Sequence, residues 1–428
     1  MDQVTVLVGA QWGDEGKGKV IDILTEDVKY VVRYQGGNNA GHTVVIGDDK
    51  YVLHLVPSGI LHDGKICVIG HGVVVDPKAL IEEIELLQSK GIGLDQRLKV
   101  SDKAHVIFPY HNKLDELREL RKKGRIGTTK KGIGPCYADK VARVGIRIGD
   151  LYDKAYFKER LERIIEEKNT ILKNLYGFEG FSVEEIFKGY LKYAEYLKEY
   201  VCDSVMLLNE ALKRGESILF EGAQGTFLDV DYGTYPFVTS SNSTAGGACT
   251  GAGIGPSRVD SVLGVVKAYT TRVGEGPFPT EFGPDLMDKI RKKGGEFGAT
   301  TGRARRCGWF DSVLVKNSVE INGIDKVVIT KLDVLDELKT IKICTAYRYK
   351  GKLYQNIPGI PGFLDNCEPV YEEQPGWQQD TSQITSYELL PENARKYLQK
   401  VKKLIGSDIM LVSVGKSRKQ TFIYPDNA

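Results

Sequence analysis

The feature that most restricts how this chain can fold is a recurring short run that is apolar on both faces. Val4–Val8, Tyr30–Arg33, Ile66–Ile69, Ser217–Phe220, Val262–Val266, Lys326–Thr330 and Ile409–Ser413 are rich in β-branched residues. Most of them give way to Gly, Asp or Lys and then to polar loop. A strand with one face in water alternates apolar and polar residues; these runs do not. They predict a mostly parallel central sheet covered by helices, an α/β fold like that of phosphate-loop nucleotide-binding proteins. In such sheets ligands gather beyond the carboxyl ends of the strands, so the loops after these runs are where chemistry is expected.

The middle of the chain reads differently, as a mostly helical insertion over roughly 100–205. Phe157, Leu161, Ile164, Ile165, Leu172 and Leu175 recur at helical spacing over 154–176, and Gly177 is placed to end that helix. A second helix is expected from a capping box, Ser182 to Glu185, burying Ile186, Tyr193, Leu197 and Val201. The 428 residues have room for two or three ordinary domains. No low-complexity linker or clean boundary divides them, so the expectation is one large α/β catalytic domain over 1–428, with subdomains.

Lys and Arg number 59 against 57 Asp and Glu, a net charge of +2, so no basic field suggests nucleic acid or a membrane surface. The seven cysteines are odd in number, scattered, and free of zinc-type spacing, which fits a reducing compartment without disulfides. No window approaches the apolar length of a membrane span, and the N-terminus has no signal-peptide pattern. The expected location is cytoplasmic.

The densest chemistry follows the first run: Gly9-Ala10-Gln11-Trp12-Gly13-Asp14-Glu15-Gly16-Lys17-Gly18-Lys19. Glycines let backbone N–H groups converge on phosphate oxygens, Lys17 offers a countercharge, and Val20–Leu24 looks like the start of a helix. A tight turn with surface charges would have some of the same composition. The spacing also departs from a Walker loop: six residues separate Gly9 from Gly16, and Gly18 stands where a Mg²⁺-binding Ser or Thr is expected. Asp14 is a carboxylate inside a loop suited to anions, a position that calls for Mg²⁺ or a proton. A second loop, Gln35-Gly36-Gly37-Asn38-Asn39-Ala40-Gly41-His42-Thr43, places one histidine among small polar residues. Flanking one substrate, Asp14 and His42 would form an acid–base pair.

Val327–Thr330 runs into Lys331-Leu332-Asp333. One carboxylate can accept both adjacent donors of guanine, N1–H and N2–H₂; adenine lacks that pair, so Asp333 would select GTP over ATP, with the Lys331 stem packed along the base. Thr300-Thr301-Gly302-Arg303-Ala304-Arg305-Arg306 gathers arginine forks suited to a carboxylate or phosphate, or is a solvated basic loop.

Taken together, these loops with Gly127-Thr128-Thr129, Gly132-Ile133-Gly134-Pro135, Glu221-Gly222-Ala223-Gln224-Gly225-Thr226, Tyr235–Asn242 and Thr271-Arg272-Val273-Gly274 resemble the adenylosuccinate synthetase family from the first strand to the C-terminus. The resemblance implies a GTP-dependent ligase of purine biosynthesis, on the AMP branch, that joins L-aspartate to IMP through a 6-phosphoryl intermediate. It implies Asp14 as base and Mg²⁺ ligand, His42 as acid, Lys17 on phosphates, and the Gly41 backbone completing the Mg²⁺ site. Gln224 would join the catalytic group and contact IMP with Asn39, Thr129, Thr239 and Arg303. Gly13, Glu15, Gly16, Gly18, Lys19 and Thr43 would line the nucleotide. Thr300, Thr301 and the arginines after them would take aspartate, with Arg305 also near GTP, and Lys331, Asp333, Ser413 and Gly415 would frame guanine. A homodimer is implied too, with Arg143 reaching into the partner's site. Three departures stand out: Asn38 for the family's first loop histidine, Lys130-Lys131 for Gly-Arg, and Val414 and Lys416 in the usual Ser-Thr-Gly-Pro. A GTP-binding switch or a nucleotide kinase would share the phosphate loop, but neither needs Asp14 with His42 and an arginine-rich third loop.

Overall fold

The computed structural model describes residues 2–46, 49–121, 127–298 and 302–425. Every expected run is a strand of one ten-stranded sheet. Its strands are β1 (Val4–Gly9), β2 (Tyr30–Arg33), β3 (Ile66–Ile69), β4 (Leu98–Ser101), β5 (Val201–Cys202), β6 (Ile218–Glu221), β7 (Ser261–Lys267), β8 (Lys326–Thr330), β9 (Asp408–Ser413) and β10 (Thr421–Ile423). They lie in the order β10-β9-β8-β7-β1-β6-β2-β3-β4-β5. Neighbours are parallel except β10, which runs antiparallel to β9 at one edge.

The double-faced hydrophobicity has its cause in two cores. Val6, Val8 and Val32 belong to one, and Leu7 and Val31 to the other, on the opposite face. Each fully buried aliphatic side chain favours this arrangement by about 1.5–3 kcal/mol, so shifting a strand by one residue gains nothing. Helix α1 (Lys17–Leu24) and the helix Pro77–Ser89 fill one side through Val20, Ile21, Leu80 and Ile84. Helices Ser312–Asn322 and Glu392–Ile405 fill the other through Val315, Leu398 and Val401.

The expected helical stretch carries helices Pro109–Arg121, Ile133–Val141, Lys154–Tyr176 and Val183–Leu197. Gly177 at φ 67° ends the third, and the Ser182 hydroxyl accepts from the Glu185 N–H at the start of the fourth, 3.4 Å away. Three details differ from the pattern. The buried stripe of the third helix ends at Leu172, so Leu175 in the last turn is 52% exposed. Tyr190 and Ala194 take the inner face of the fourth, leaving Tyr193 half-buried. Val201 lies beyond that helix and opens β5. A four-stranded sheet built on Thr340–Tyr349 and Glu368–Pro375 was not foreseen. All seven cysteines are free. Among the described residues no helix is long and apolar enough to cross a membrane.

Candidate active site

Several of the loops of interest leave the carboxyl ends of strands near the middle of the sheet, β1, β2, β6, β7 and β8, while Ser413 ends β9, Gly415 follows it, and the stretches 127–135 and 302–306 follow helices. After β1 the chain turns through Gly13 (φ 86°), Asp14 (φ 60°) and Gly16 (φ 88°) into α1, so the helix begins at Lys17, three residues earlier than its apolar pattern suggests. Glu15 braces the turn from inside. Fully buried, its carboxylate accepts from the N–H groups of Gln11 (3.1 Å) and Gly13 (2.8 Å) and pairs with Lys17 Nζ at 2.7 Å. Lys17 also donates to the Gln224 carbonyl. The lysine expected on phosphates is thus already matched by a carboxylate of its own loop. A Cβ on Gly18 would lie 2.7 Å from the Thr43 carbonyl oxygen. No Ser or Thr fits there, which accounts for the departure from a Walker loop.

His42 opens the strand His42–Ile46 and is 7% exposed. Its Nδ1 is hydrogen-bonded to Glu221 Oε1 at the end of β6. Glu221 is fully buried, accepts from Ser58 N–H (2.8 Å) and Oγ–H (3.1 Å), and lies 3.6 Å from the Arg33 guanidinium. Burial alone would raise the Glu221 carboxyl; His42, Arg33 and Ser58 outweigh it and hold it below the ordinary carboxylate range. Burial pushes the His42 imidazolium down, with Glu221 opposing and Arg33 and Lys17 adding to the fall. The outcome is an imidazole of fixed orientation, Nδ1 toward an ionised carboxylate and Nε2 left for other work. Glu221 opened one of the motifs that carry the resemblance and Arg33 closed one of the strand runs, but neither was assigned a role from the sequence. A charged residue closing a buried strand, Ile218-Leu219-Phe220-Glu221, was the available signal.

Asp14, its side chain 40% exposed, pairs with the Arg305 guanidinium. Arg305 Nη1 also donates to the Arg303 carbonyl (2.9 Å). The exposed Arg303 donates to the Gly127 carbonyl at 3.4 Å, drawing two of the expected loops together. Lys331, at φ 58°, donates to the Gly294 carbonyl (2.8 Å) and to Glu296 (2.7 Å). Asp333 keeps one buried carboxylate oxygen, Oδ1, without a partner. Burial raises its carboxyl, as does Asp336, against Lys331 and Lys19. Asp333 borders a cavity of about 510 Å³. Lys19 does not turn toward the β1 loop; it donates to Ser413 Oγ and the Gly415 carbonyl (2.8 Å), and burial lowers it to about 8, with Asp333 opposing. Lys19, Asp333, Ser413 and Gly415 therefore form one cluster.

Gln224, at φ 57°, has an unpartnered buried Oε1 that would lie 3.3 Å from a Cβ on Gly36. Asn39 Oδ1 is likewise buried and unpartnered. Gly41 and Thr129 are exposed and Thr43 is half-buried. Thr239 Oγ1 lies 3.5 Å from Ser241 Oγ. Thr300 and Thr301 lie outside the described residues. Arg143 (φ 66°) is not gathered with the rest; it lines a basic cavity of about 330 Å³ with His105, Lys140, Arg147 and Arg160. Two of the departures touch each other, since Lys131 Nζ donates to the Asn38 carbonyl at 2.7 Å. The third, Val414, is a fully buried core residue.

Comparison with known proteins agrees with this fold. The sequence profile of the adenylosuccinate synthetase family matches residues 6–422. The chain is 55% identical over 417 residues to the adenylosuccinate synthetase of Geobacillus kaustophilus, covering 97% of each. It is 56% identical over 419 residues to that of Carboxydothermus hydrogenoformans, covering 98% of each. It superposes on the structure of fully ligated adenylosuccinate synthetase from Plasmodium falciparum with a TM-score of 0.93 at 41% identity, over 99% of this chain and 100% of that one. A cyanophage S-2L succinoaminodeoxyadenylate synthetase, at 18% identity and a TM-score of 0.62 over 98% of this chain and 95% of that one, shares the fold alone. The chain belongs to the adenylosuccinate synthetase family, the GTP-dependent ligases that join L-aspartate to IMP.

Proposed function

We propose that Asp14 and His42 divide the acid–base work of this reaction. Asp14 takes the N1 proton of IMP while O6 attacks the γ-phosphorus of GTP, and GDP leaves. The amino group of aspartate then attacks C6 and expels phosphate. His42, held through Nδ1–H by Glu221, presents Nε2 to the phosphoryl oxygens; the negative charge that accumulates there, with the Glu221 anion behind the ring, favours the imidazolium, which then donates Nε2–H to them. The buried His42–Glu221 pair carries this reading, because it fixes the ring through Nδ1 at the end of the second loop and leaves Nε2 for the substrate side.

Mg²⁺ fits the donors available. It takes hard oxygens and usually keeps phosphate and water ligands beside one or two carboxylates, so the Asp14 carboxylate and the Gly41 carbonyl would suffice from the protein. When bound, the ion would neutralise phosphate charge. Asp333 reads the guanine N1–H and N2–H₂ with its unpartnered oxygen, beside Lys19, Ser413 and Gly415. IMP is held by Asn39, Thr129, Gln224, Thr239 and Arg303, and aspartate by the loop around Thr300, Thr301 and Arg305. Residues 1–428 act as one catalytic unit in the cytoplasm. Arg143, exposed near Val141, itself 80% exposed, serves the partner's site in a homodimer.

The test is the change in purine ultraviolet absorbance on adding L-aspartate to enzyme, Mg²⁺, GTP and IMP. A change that needs all three substrates and is lost with ATP is expected. Phosphate release without aspartate would overturn the reading.

A further inference from the structure

Glu296 is a buried carboxylate that the reaction does not call on directly. It is 3% exposed and accepts from Lys267 Nζ (2.9 Å), Lys331 Nζ (2.7 Å) and the Tyr269 hydroxyl. Lys267 closes β7, is fully buried, and also donates to Thr271 Oγ1 at 2.7 Å. Lys331 sits in a left-handed turn leaving β8, so its direction is set by what holds its ammonium: the Glu296 carboxylate and the Gly294 carbonyl.

The same residue roots the arginine-bearing loop. The Glu296 carbonyl accepts from the Arg305 N–H (2.9 Å), Phe297 and Ala304 form an antiparallel bridge, and Gly298 N–H donates to the Arg303 carbonyl (2.9 Å). Beyond that root, the Arg305 guanidinium grips Asp14. Through its side chain Glu296 fixes the lysine beside the base-reading carboxylate; through its backbone it fixes two arginines assigned to the other substrates. Lys267 ties both to the sheet.

We infer that Glu296 is a positioning residue through which recognition of GTP and of L-aspartate share one anchor; this rests on the functional reading above. With a carboxamide at 296, the NH₂ group faces either Lys267 or the pair Lys331 and Tyr269, Lys331 loses its charged acceptor, and the root of the arginine hairpin loses its tie to β7 and β8. Losing a charge-assisted hydrogen bond corresponds to roughly a ten- to hundredfold change in an equilibrium.

The experiment is steady-state kinetics on the full chain for Glu296→Gln and Lys331→Met, with KM for all three substrates measured separately. Glu296→Gln should raise KM for GTP and for aspartate by at least about tenfold, with a smaller rise for IMP through Arg303, while kcat stays near wild type. Lys331→Met should raise KM for GTP alone. Wild-type turnover that requires the three substrates together checks the functional reading by itself. Because Lys267 is buried against the same carboxylate, Glu296→Asp is measured alongside. It keeps a charge for Lys267 but shortens the reach to Lys331, so the same two-substrate signature in weaker form is expected. An unchanged KM for aspartate in both Glu296 variants, or a uniform loss across all three substrates, would overturn the inference.

Discussion

Replacing Glu221 by Gln removes one charge from a site where every surrounding group is a donor or a cation. The carboxylate accepts from Ser58 N–H, Ser58 Oγ–H and His42 Nδ1–H and faces Arg33 at 3.6 Å. A carboxamide has only one acceptor oxygen. If that oxygen stays with Ser58, its NH₂ meets the imidazole and forces the Nδ1 proton off; if it stays with His42, the NH₂ meets the Ser58 N–H. Either way a buried donor is left unmet, at about 1–3 kcal/mol. The Arg33 guanidinium, whose Nε and Nη1 already lack hydrogen-bond partners, loses the carboxylate it faces at 3.6 Å, and a buried charge left uncompensated costs about 3–5 kcal/mol. A fall of roughly 3–5 kcal/mol in unfolding free energy is therefore expected, read by urea denaturation. The catalytic effect is separate. Without an anion at Nδ1 the imidazole cannot support positive charge in a buried site, and its share of phosphoryl stabilisation is lost. General acid catalysis of this type is worth about 10²–10⁴-fold. Single-turnover phosphate release with saturating substrates should slow by at least about a hundredfold, while GTP binding measured by calorimetry is retained. A variant that is destabilised as expected yet turns over within about threefold of wild type would refute the role given to the His42–Glu221 pair.

Three further outcomes are expected. Asp14→Asn should abolish turnover and leave the melting temperature almost unchanged, since this side chain is 40% exposed and exposed ion pairs contribute little; substantial residual turnover would remove Asp14 from the base role. Asp333→Asn should collapse the preference for GTP over ATP, because a carboxamide cannot accept both guanine donors, and an unchanged preference ratio would count against the base-reading assignment. The Glu296 carboxyl would be raised by burial alone, but Lys267, Lys331 and Tyr269 hold it at about 2 in the folded chain against an ordinary 4.5. That stability is present above pH 4.5 and lost as pH falls toward 2, so wild type should lose about 3 kcal/mol more than Glu296→Gln across this window. Parallel urea curves at each pH would contradict the buried ion pairing.

The sheet was legible because its strands are buried on both faces, and burial on both faces leaves a mark in composition. Seven of ten strands carry that mark. The other three, Leu98–Ser101, Val201–Cys202 and Thr421–Ile423, lie at or next to the sheet edges, and Val201–Cys202 is only two residues long. The candidate ligand loops could be picked out from glycine clusters and from charges placed where no core could form. What stayed hidden were groups whose role depends on long-range partners. Glu221 meets His42 across 179 positions, and Glu296 meets Lys331 across 35. A charge at the end of a buried strand reads the same whether it orients a catalyst or turns to solvent. Glu15 was placed on the ligand from its motif, whereas its carboxylate points into its own loop, held there by the Gln11 and Gly13 N–H groups and Lys17.

The departure from a Walker loop and the unusual number of carboxylates in this site have one origin. With the Gly18 backbone packed directly on Thr43, no hydroxyl can hold a cation at the start of α1, so a hard donor would come from the turn before it. In the role proposed for it, Asp14 would supply that donor from a left-handed residue tied to Arg305. Glu15, one residue on, points inward and holds the N–H groups of Gln11 and Gly13 together with Lys17. A phosphate that used the Gln11 and Gly13 N–H groups or Lys17 would have to compete with Glu15 for them, and its binding would be an exchange of anionic partners rather than the filling of a bare nest. Exchange gives less net affinity than an uncontested cradle, because each new contact is offset by one released. It also makes the loop's final shape depend on what displaces Glu15. That dependence suits an enzyme that must not transfer phosphate to water before IMP and aspartate are in place, since binding energy is then directed to assembling the site instead of holding nucleotide in advance.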